Sequence, residues 1–312
     1  MTKTLNEALK DLVPDTRVCL LDVRQEAKSL RGVAIKYLES DLLKLAKQYA
    51  LDLEVHFFEG NLAYLNQSRA FLYSHPHKDA TVTSEALYGE TLYTFDAQGT
   101  YTRVATARDN YIGWINAALT PHMRETTHFV AVPRGHAFCE PKVEASHVLE
   151  LSFGMKLRVS NEQQSWSELD ASGLGHSKKA FVKTSVLGTK ALSSTPKSIT
   201  SLAKRFLNAP YVWGGTTAWG LDCSGLCQTV FGAVGINLPR DADQQATCGR
   251  EVSPNDLQEA DLLFFPGHVA IALDNTAIIH ANARCMSVSI DTLDSPYAKA
   301  LMANLSAVKR FI

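Results

Sequence analysis

A stretch in the middle of the chain carries a weak internal repeat at an offset of 65 residues, and this limits the fold more than any other feature. Gly89 matches Gly154, Leu92 matches Leu157, and Tyr101 matches Trp166. An internal repeat implies one supersecondary unit used twice. In both copies short alternating runs are separated by Gly, Asp, Asn and Gln, the pattern of β-strands joined by tight turns. Each copy ends on a closing segment, YIGWINAALT in the first and KAFVKTSVL in the second. Two small β-barrels, expected over 63–121 and 122–190, satisfy this pattern.

The flanks read differently. In residues 1–62, Leu38, Leu42, Leu43 and Ala46 recur at helical spacing, so a short helical segment is expected, its stripe facing a core. After the barrels, GTKALSSTPKS (188–198) is polar and reads as a linker. A helix is expected over 198–210, with a Ser or Thr cap and an end before Pro210. Residues 191–312 form the last expected domain.

That domain carries the chemistry. Gly214, Gly215 and Gly220 precede Cys223, and such glycines allow a tight loop whose backbone approaches a ligand closely. After Cys223 the pattern turns helical: Leu226, Cys227, Val230, Phe231 and Val234 form one stripe, and Gly235 stands where a C-cap belongs. Cys223 therefore falls at a helix N-terminus, whose positive end favours thiolate and whose free amides suit an oxyanion. Cys227 lies in the apolar stripe, so burial is its expected role. A zinc site from Cys223 and Cys227 needs two further ligands, and no second pair of suitable spacing exists. No metal and no cofactor are expected.

A nucleophilic cysteine needs a base. DLLFFPGHVAIALDNTAIIHANA reads as strands with turn chemistry at Asp274-Asn275, and His268 and His280 flank that turn. With an odd loop, both rings fall on one sheet face within cross-strand or diagonal reach. Ala270 and Ala272 share that face and would let the Cys223 helix pack close. His268 would act as base and then acid, and His280 would orient it and hold its tautomer. The other eight histidines read as solvated or core-satisfied rings.

Bulk properties narrow the partners. The formal net charge is −1, so neither nucleic acid nor an anionic membrane is an expected partner. No apolar run approaches the roughly 18–20 residues of a membrane helix. The N-terminal MTKTLNEALKDLVPDT lacks a signal-peptide core, so a cytoplasmic protein is expected. The six cysteines follow no framework spacing and are expected as free thiols.

Leu87-Tyr88-Gly89-Glu90 and Asn110-Tyr111-Ile112-Gly113-Trp114 resemble bacterial SH3-like domains; the second copy keeps Phe153-Gly154 and has Phe181 in the place of Trp114. Tyr211-Val212-Trp213-Gly214-Gly215, Asp222-Cys223-Ser224-Gly225, Leu238-Pro239-Arg240-Asp241, Asp261-Leu262-Leu263-Phe264-Phe265, His268-Val269 and His280-Ala281 resemble the NlpC-type papain-like cysteine peptidases. The resemblance implies two SH3-like β-barrels plus an α+β papain-like catalytic domain. It implies Cys223 as nucleophile, His268 as base, His280 as orienting member and Tyr211 at the oxyanion. The combination is similar to γ-D-glutamyl-diamino-acid dipeptidyl-peptidases, which act on small murein peptides with a free N-terminal L-Ala in wall recycling; a monomer is expected.

In that group the first SH3-like domain walls off the cleft. The resemblance implies substrate contacts from Asp222, which would bind the amine, and from Ser224, Tyr111, Arg240 and Asp241. A glutamate is also expected near Thr83-Ser84-Glu85. Glu85 is the acid there, and a register shifted by two would place Thr83 at the site. Ala242 stands where relatives carry a serine, and Ala260 where a glycine often precedes Asp261. Two other readings use the same residues: a thioester-forming acyltransferase or amidase, and a wall-binding protein with an inactive catalytic domain.

Overall fold

The computed structural model describes residues 61–122, 125–171 and 179–312, together with a strand pair, Cys19–Leu20 against Ala34–Ile35. The helical segment expected before residue 61 lies outside the described residues. The 65-residue offset is written into the backbone. Gly89 and Gly154 both take left-handed φ, +75° and +83°. Gly89 donates to the Leu65 carbonyl at 2.8 Å and Gly154 to that of Val130 at 2.9 Å, and these acceptors are themselves 65 apart. Left-handed backbone is readily reached only without a Cβ, which is why both copies keep glycine. Leu92 and Leu157 are buried in their respective cores.

The first unit is one antiparallel sheet of seven strands whose first, Asn61–Leu65, starts two residues ahead of the expected boundary. The second unit has a five-stranded and a three-stranded sheet around Val130, Leu149, Leu151, Met155 and Leu169. Its last strand, Leu187–Gly188, takes the first residue of the expected linker.

The C-terminal unit opens with helix α1, Pro196–Arg205, two residues earlier than expected. Thr195 caps it, accepting from Ser198 N, and Pro196 occupies the first turn, where its missing N–H costs nothing. It ends well before Pro210, in a turn where Asn208 takes φ +66°. Helix α2 is Cys223–Gly232. Gly235, at φ +84°, and the bond from Ile236 N to Phe231 O close it as a Schellman motif. The short α3 is Ala242–Gln245 and α4 is Pro296–Met302.

Six strands form the sheet: β1 Arg250–Glu251, β2 Leu262–Phe265, β3 His268–Ala272, β4 Ala277–Asn282, β5 Ser287–Thr292 and β6 Ala307–Arg310. Their spatial order is β1-β6-β2-β3-β4-β5, antiparallel throughout. Val269, Ile271, Ile279 and Ala281 pack with Leu226, Cys227, Val230 and Phe231 of α2. Ala270, Ala272 and Ile278 pack on the other side with Leu263, Phe265 and Leu301. The helix thus lies on the face opposite Ala270 and Ala272, not against them: the larger branched side chains supply its apolar contact.

Candidate active site

Cys223 is the first residue of α2, and Asp222 is its N-cap, accepting from Gly225 N at 2.7 Å. The residue is 7% exposed, and its thiol lies against the backbone N–H of Val269, the residue after His268. His268 begins β3. In the β3–β4 register Ile271 faces Ile279 and Ala272 faces Ile278, so Ala270 is opposite His280 and the two histidines stand on a diagonal of one face. His268 Nε2 is 2.8 Å from His280 Nδ1. His268 Nδ1 is the ring nitrogen outside this bond.

Burial pushes the Cys223 thiol up to about 11, the Asp222 charge adds to this, and the amides of Val269 and Ser224 oppose it. Burial, then the neighbouring His280, pulls His268 down to about 4. A helix terminus contributes about 0.3–1 kcal/mol, under one pKa unit, and desolvation outweighs it. Both shifts favour the thiol and the neutral imidazole over their charged forms. The arrangement suits general-base activation, in which the proton moves as sulfur attacks.

Tyr211 packs against the core that holds Cys223. Burial, then the Cys223 and Asp222 charges, push its phenol up to about 12, so it is a neutral donor beside the nucleophile.

Three expected substrate contacts are instead bonded to one another. Asp222 Oδ1 accepts from Gly225 N at 2.7 Å, Arg240 Nη1 at 3.1 Å and Ser224 Oγ at 3.3 Å. Its Oδ2 accepts from Arg240 Nη2 at 2.5 Å and Gly214 N at 2.8 Å. Five donors on a carboxylate with about four lone-pair sites leave none for a substrate ammonium. Arg240 is 2% exposed and also donates to Ser224 Oγ at 2.9 Å and to Ser84 Oγ of the first unit at 3.2 Å. The Asp222, Ser224 and Arg240 side chains form an internal lock.

Glu85 is likewise internal. It is 1% exposed, takes an ion pair from Arg69 Nη1 at 3.1 Å and accepts from Thr216 N at 3.1 Å, which docks the first unit on the C-terminal one. Thr83 is the residue beside the Tyr111 phenol. Tyr111 Oη donates to Asp241 Oδ1 at 3.4 Å. Asp241 precedes α3 without capping it by its side chain, so its carboxylate faces the first unit. Burial pushes that carboxyl up to about 6. Of the expected substrate contacts, Tyr111 and Asp241 stand outside the Asp222–Arg240 lock and are bonded to each other across the two units.

The glycine loop serves the protein itself. A Cβ on Gly214 would sit 2.5 Å from Val82 Cγ1 of the first unit, and one on Gly215 would sit 2.3 Å from the Gly220 carbonyl. The close approach at Gly215 is backbone to backbone, and at Gly214 it is unit to unit.

Sequence reasoning missed Asp291 and Arg284. Asp291 Oδ2 is 2.9 Å from His280 Nε2, and Arg284 Nη2 reaches both Asp291 oxygens at 2.8 and 3.0 Å. His280 pairs with Ser289, so Asp291 is its diagonal neighbour on the same face. The alternation of SVSIDT was the available signal. Also missed was Asp109, which accepts from Gln228 Nε2 at 2.7 Å and from Tyr111 N at 3.2 Å, setting the Tyr111 turn against α2. A cavity of about 640 Å³ at the far end of α2 is not lined by Cys223, His268 or His280. Among the described residues no group of three or more His, Cys, Asp or Glu side chains is placed to hold a metal ion.

Residues 208–306 match the NlpC/P60 family and residues 72–118 match the bacterial dipeptidyl-peptidase SH3 domain. The chain is 26% identical over 258 residues to dipeptidyl-peptidase 6 of Lysinibacillus sphaericus, covering 77% of this chain and 95% of that protein. It is 27% identical to the γ-D-glutamyl-L-lysine dipeptidyl-peptidase of Bacillus subtilis, covering 72% and 81%. A crystal structure of an NlpC/P60 family protein from Bacillus cereus superposes with a TM-score of 0.70 at 22% identity, over 80% of this chain and 99% of that one.

Proposed function

The chain is a hydrolase that joins an NlpC/P60 cysteine peptidase domain to a bacterial dipeptidyl-peptidase SH3 domain, and on that premise we propose that it cleaves the γ-D-glutamyl–diamino-acid bond of wall stem peptides bearing a free N-terminal L-Ala. One observation carries the reading: the Tyr111–Asp241 pair joins the first unit to the C-terminal one beside Arg240, which is bonded to Asp222, the cap of the Cys223 helix. An ammonium bound there has a carboxylate partner, and a blocked amine has none.

Cys223 Sγ attacks the D-Glu side-chain carbonyl while His268 Nδ1 takes its proton. The oxyanion is met by the Tyr211 hydroxyl and the amides at the start of α2. Collapse expels the diamino-acid amine, which takes the proton back from His268. Water, deprotonated by the same ring, then hydrolyses the thioester and releases L-Ala-D-Glu. Fixing the amine end positions the scissile carbonyl, which is a proximity effect.

Residues 122–190 are read as a second SH3-like domain, supported by the matching Gly89 and Gly154 hydrogen bonds. The proposal extends to wall recycling in the cytoplasm by a monomer. Incubation with L-Ala-γ-D-Glu-L-Lys is expected to give L-Ala-D-Glu by mass spectrometry, with no turnover of the N-acetylated peptide or by Cys223→Ala. Equal cleavage of the acetylated peptide would remove the amine pocket from the reading. Cys223-dependent activity confined to the culture medium would remove the cytoplasmic role.

A further inference from the structure

His280 is 1% exposed and hydrogen-bonded at both nitrogens. Its surroundings are His268 from β3, Asp291 from β5, the Tyr297 ring of α4 with centroids 6.2 Å apart, and Arg284 from the turn between β4 and β5. Arg284 also stacks over the Tyr297 ring at 4.0 Å, which fixes the guanidinium.

We propose that Asp291, held by Arg284, is a positioning residue that sets the tautomers of His280 and His268 in series and so leaves His268 Nδ1 without a proton. A carboxylate only accepts hydrogen bonds, so the hydrogen between His280 and Asp291 lies on His280 Nε2. A neutral imidazole carries one N–H, so His280 Nδ1 is an acceptor. His268 Nε2, 2.8 Å away, must then donate to it. The neutral His268 ring has spent its one N–H, and Nδ1 presents a lone pair to the Cys223 proton. Arg284 Nη2 donates to both Asp291 oxygens, at 2.8 and 3.0 Å, and holds the carboxylate against His280 as an acceptor. When His268 takes the thiol proton, the imidazolium is stabilised through its Nε2–H bond to His280, which the Asp291 carboxylate backs. This rests on Cys223 and His268 being nucleophile and base, as proposed above.

The chain of bonds distinguishes two substitutions that a packing role would not. In Asp291→Asn the amide oxygen stays with Arg284, the stronger donor, and the NH2 turns to His280 Nε2. The series reverses: His280 donates from Nδ1, His268 accepts at Nε2, and His268 Nδ1 carries a hydrogen when the thiol needs a base. Asp291→Ala removes the bias without reversing it. Long-range proton–nitrogen spectra of the full chain labelled with 15N-histidine, assigned with His268→Asn and His280→Asn, read the tautomers directly. Both rings are expected as Nε2–H in the native chain and both as Nδ1–H in Asp291→Asn. Turnover of L-Ala-γ-D-Glu-L-Lys is expected to fall about 100-fold in Asp291→Asn and about tenfold in Asp291→Ala, with KM and Tm near native. Alkylation of Cys223 by iodoacetamide should slow in the same order. Native His268 carrying Nδ1–H, or Asp291→Ala more damaging than Asp291→Asn, overturns the inference. If the tripeptide is not cleaved by the native chain, the substrate reading fails, while the spectra and the alkylation rates still decide the tautomers.

Discussion

Asp222→Asn separates an amine anchor from an internal lock. Asparagine caps helices as well as aspartate does, so the cap to Gly225 survives and the substitution isolates charge and lone pairs. The new NH2 replaces Oδ2 and faces two donors, Gly214 N and Arg240 Nη2. Arg240 is left buried with no anion on its guanidinium. Removing one partner of a buried pair costs about 3–5 kcal/mol, which corresponds to a fall in Tm on the order of 10 °C. Arg240→Met on top of Asp222→Asn removes the stranded charge, so the double variant should be more stable than the sum of the single changes by about 1–2 kcal/mol. Calorimetry of the four chains gives this coupling, and kinetics on L-Ala-γ-D-Glu-L-Lys accompanies it. An unchanged Tm with a KM raised more than tenfold would refute the lock and restore Asp222 as the amine anchor.

Three further outcomes are expected. The acid limb of kcat/KM should lie near pH 6, because the Asp241 carboxyl, pushed up to about 6 by burial, must be ionised to hold an ammonium and is lost as pH falls. Asp241→Asn should lower the plateau and move the limb toward the protonation of His268 near 4; a limb unmoved by the substitution removes Asp241 from the pocket. Gly214→Ala should loosen the first unit by about 1–3 kcal/mol, since φ is +80° and the new Cβ meets Val82 at 2.5 Å; unaltered protease resistance between the units contradicts this. Ala260 holds φ +69°, a conformation costing an L-residue about 1–2 kcal/mol, of which glycine returns about 0.4–1 through its unfolded-state freedom. Ala260→Gly should therefore raise the denaturation midpoint with activity unchanged, and a fall would show that the strain is relieved elsewhere.

Local pattern alone was enough for the parts of this protein that depend on near neighbours in the chain. The 65-residue offset needs glycine at the same left-handed turn twice, and so it appears twice in the sequence. The stripe after Cys223 and Gly235 at its end define α2, because helix periodicity and capping are short-range. The alternation around Asp274-Asn275 put His268 and His280 on one face for the same reason.

Tertiary structure decided which polar side chains are spent. Asp222, Ser224 and Glu85 look like site residues by position, yet Arg240, Gly214, Arg69 and Thr216, brought in from distant segments, take up their hydrogen-bonding capacity. The same packing desolvates Cys223 and His268 and pushes both toward their neutral forms, against the helix-terminus argument. It also supplies Asp291 from the next strand. Hydrogen-bond saturation and burial are sums over everything that surrounds a group, and most of those surroundings are remote in sequence.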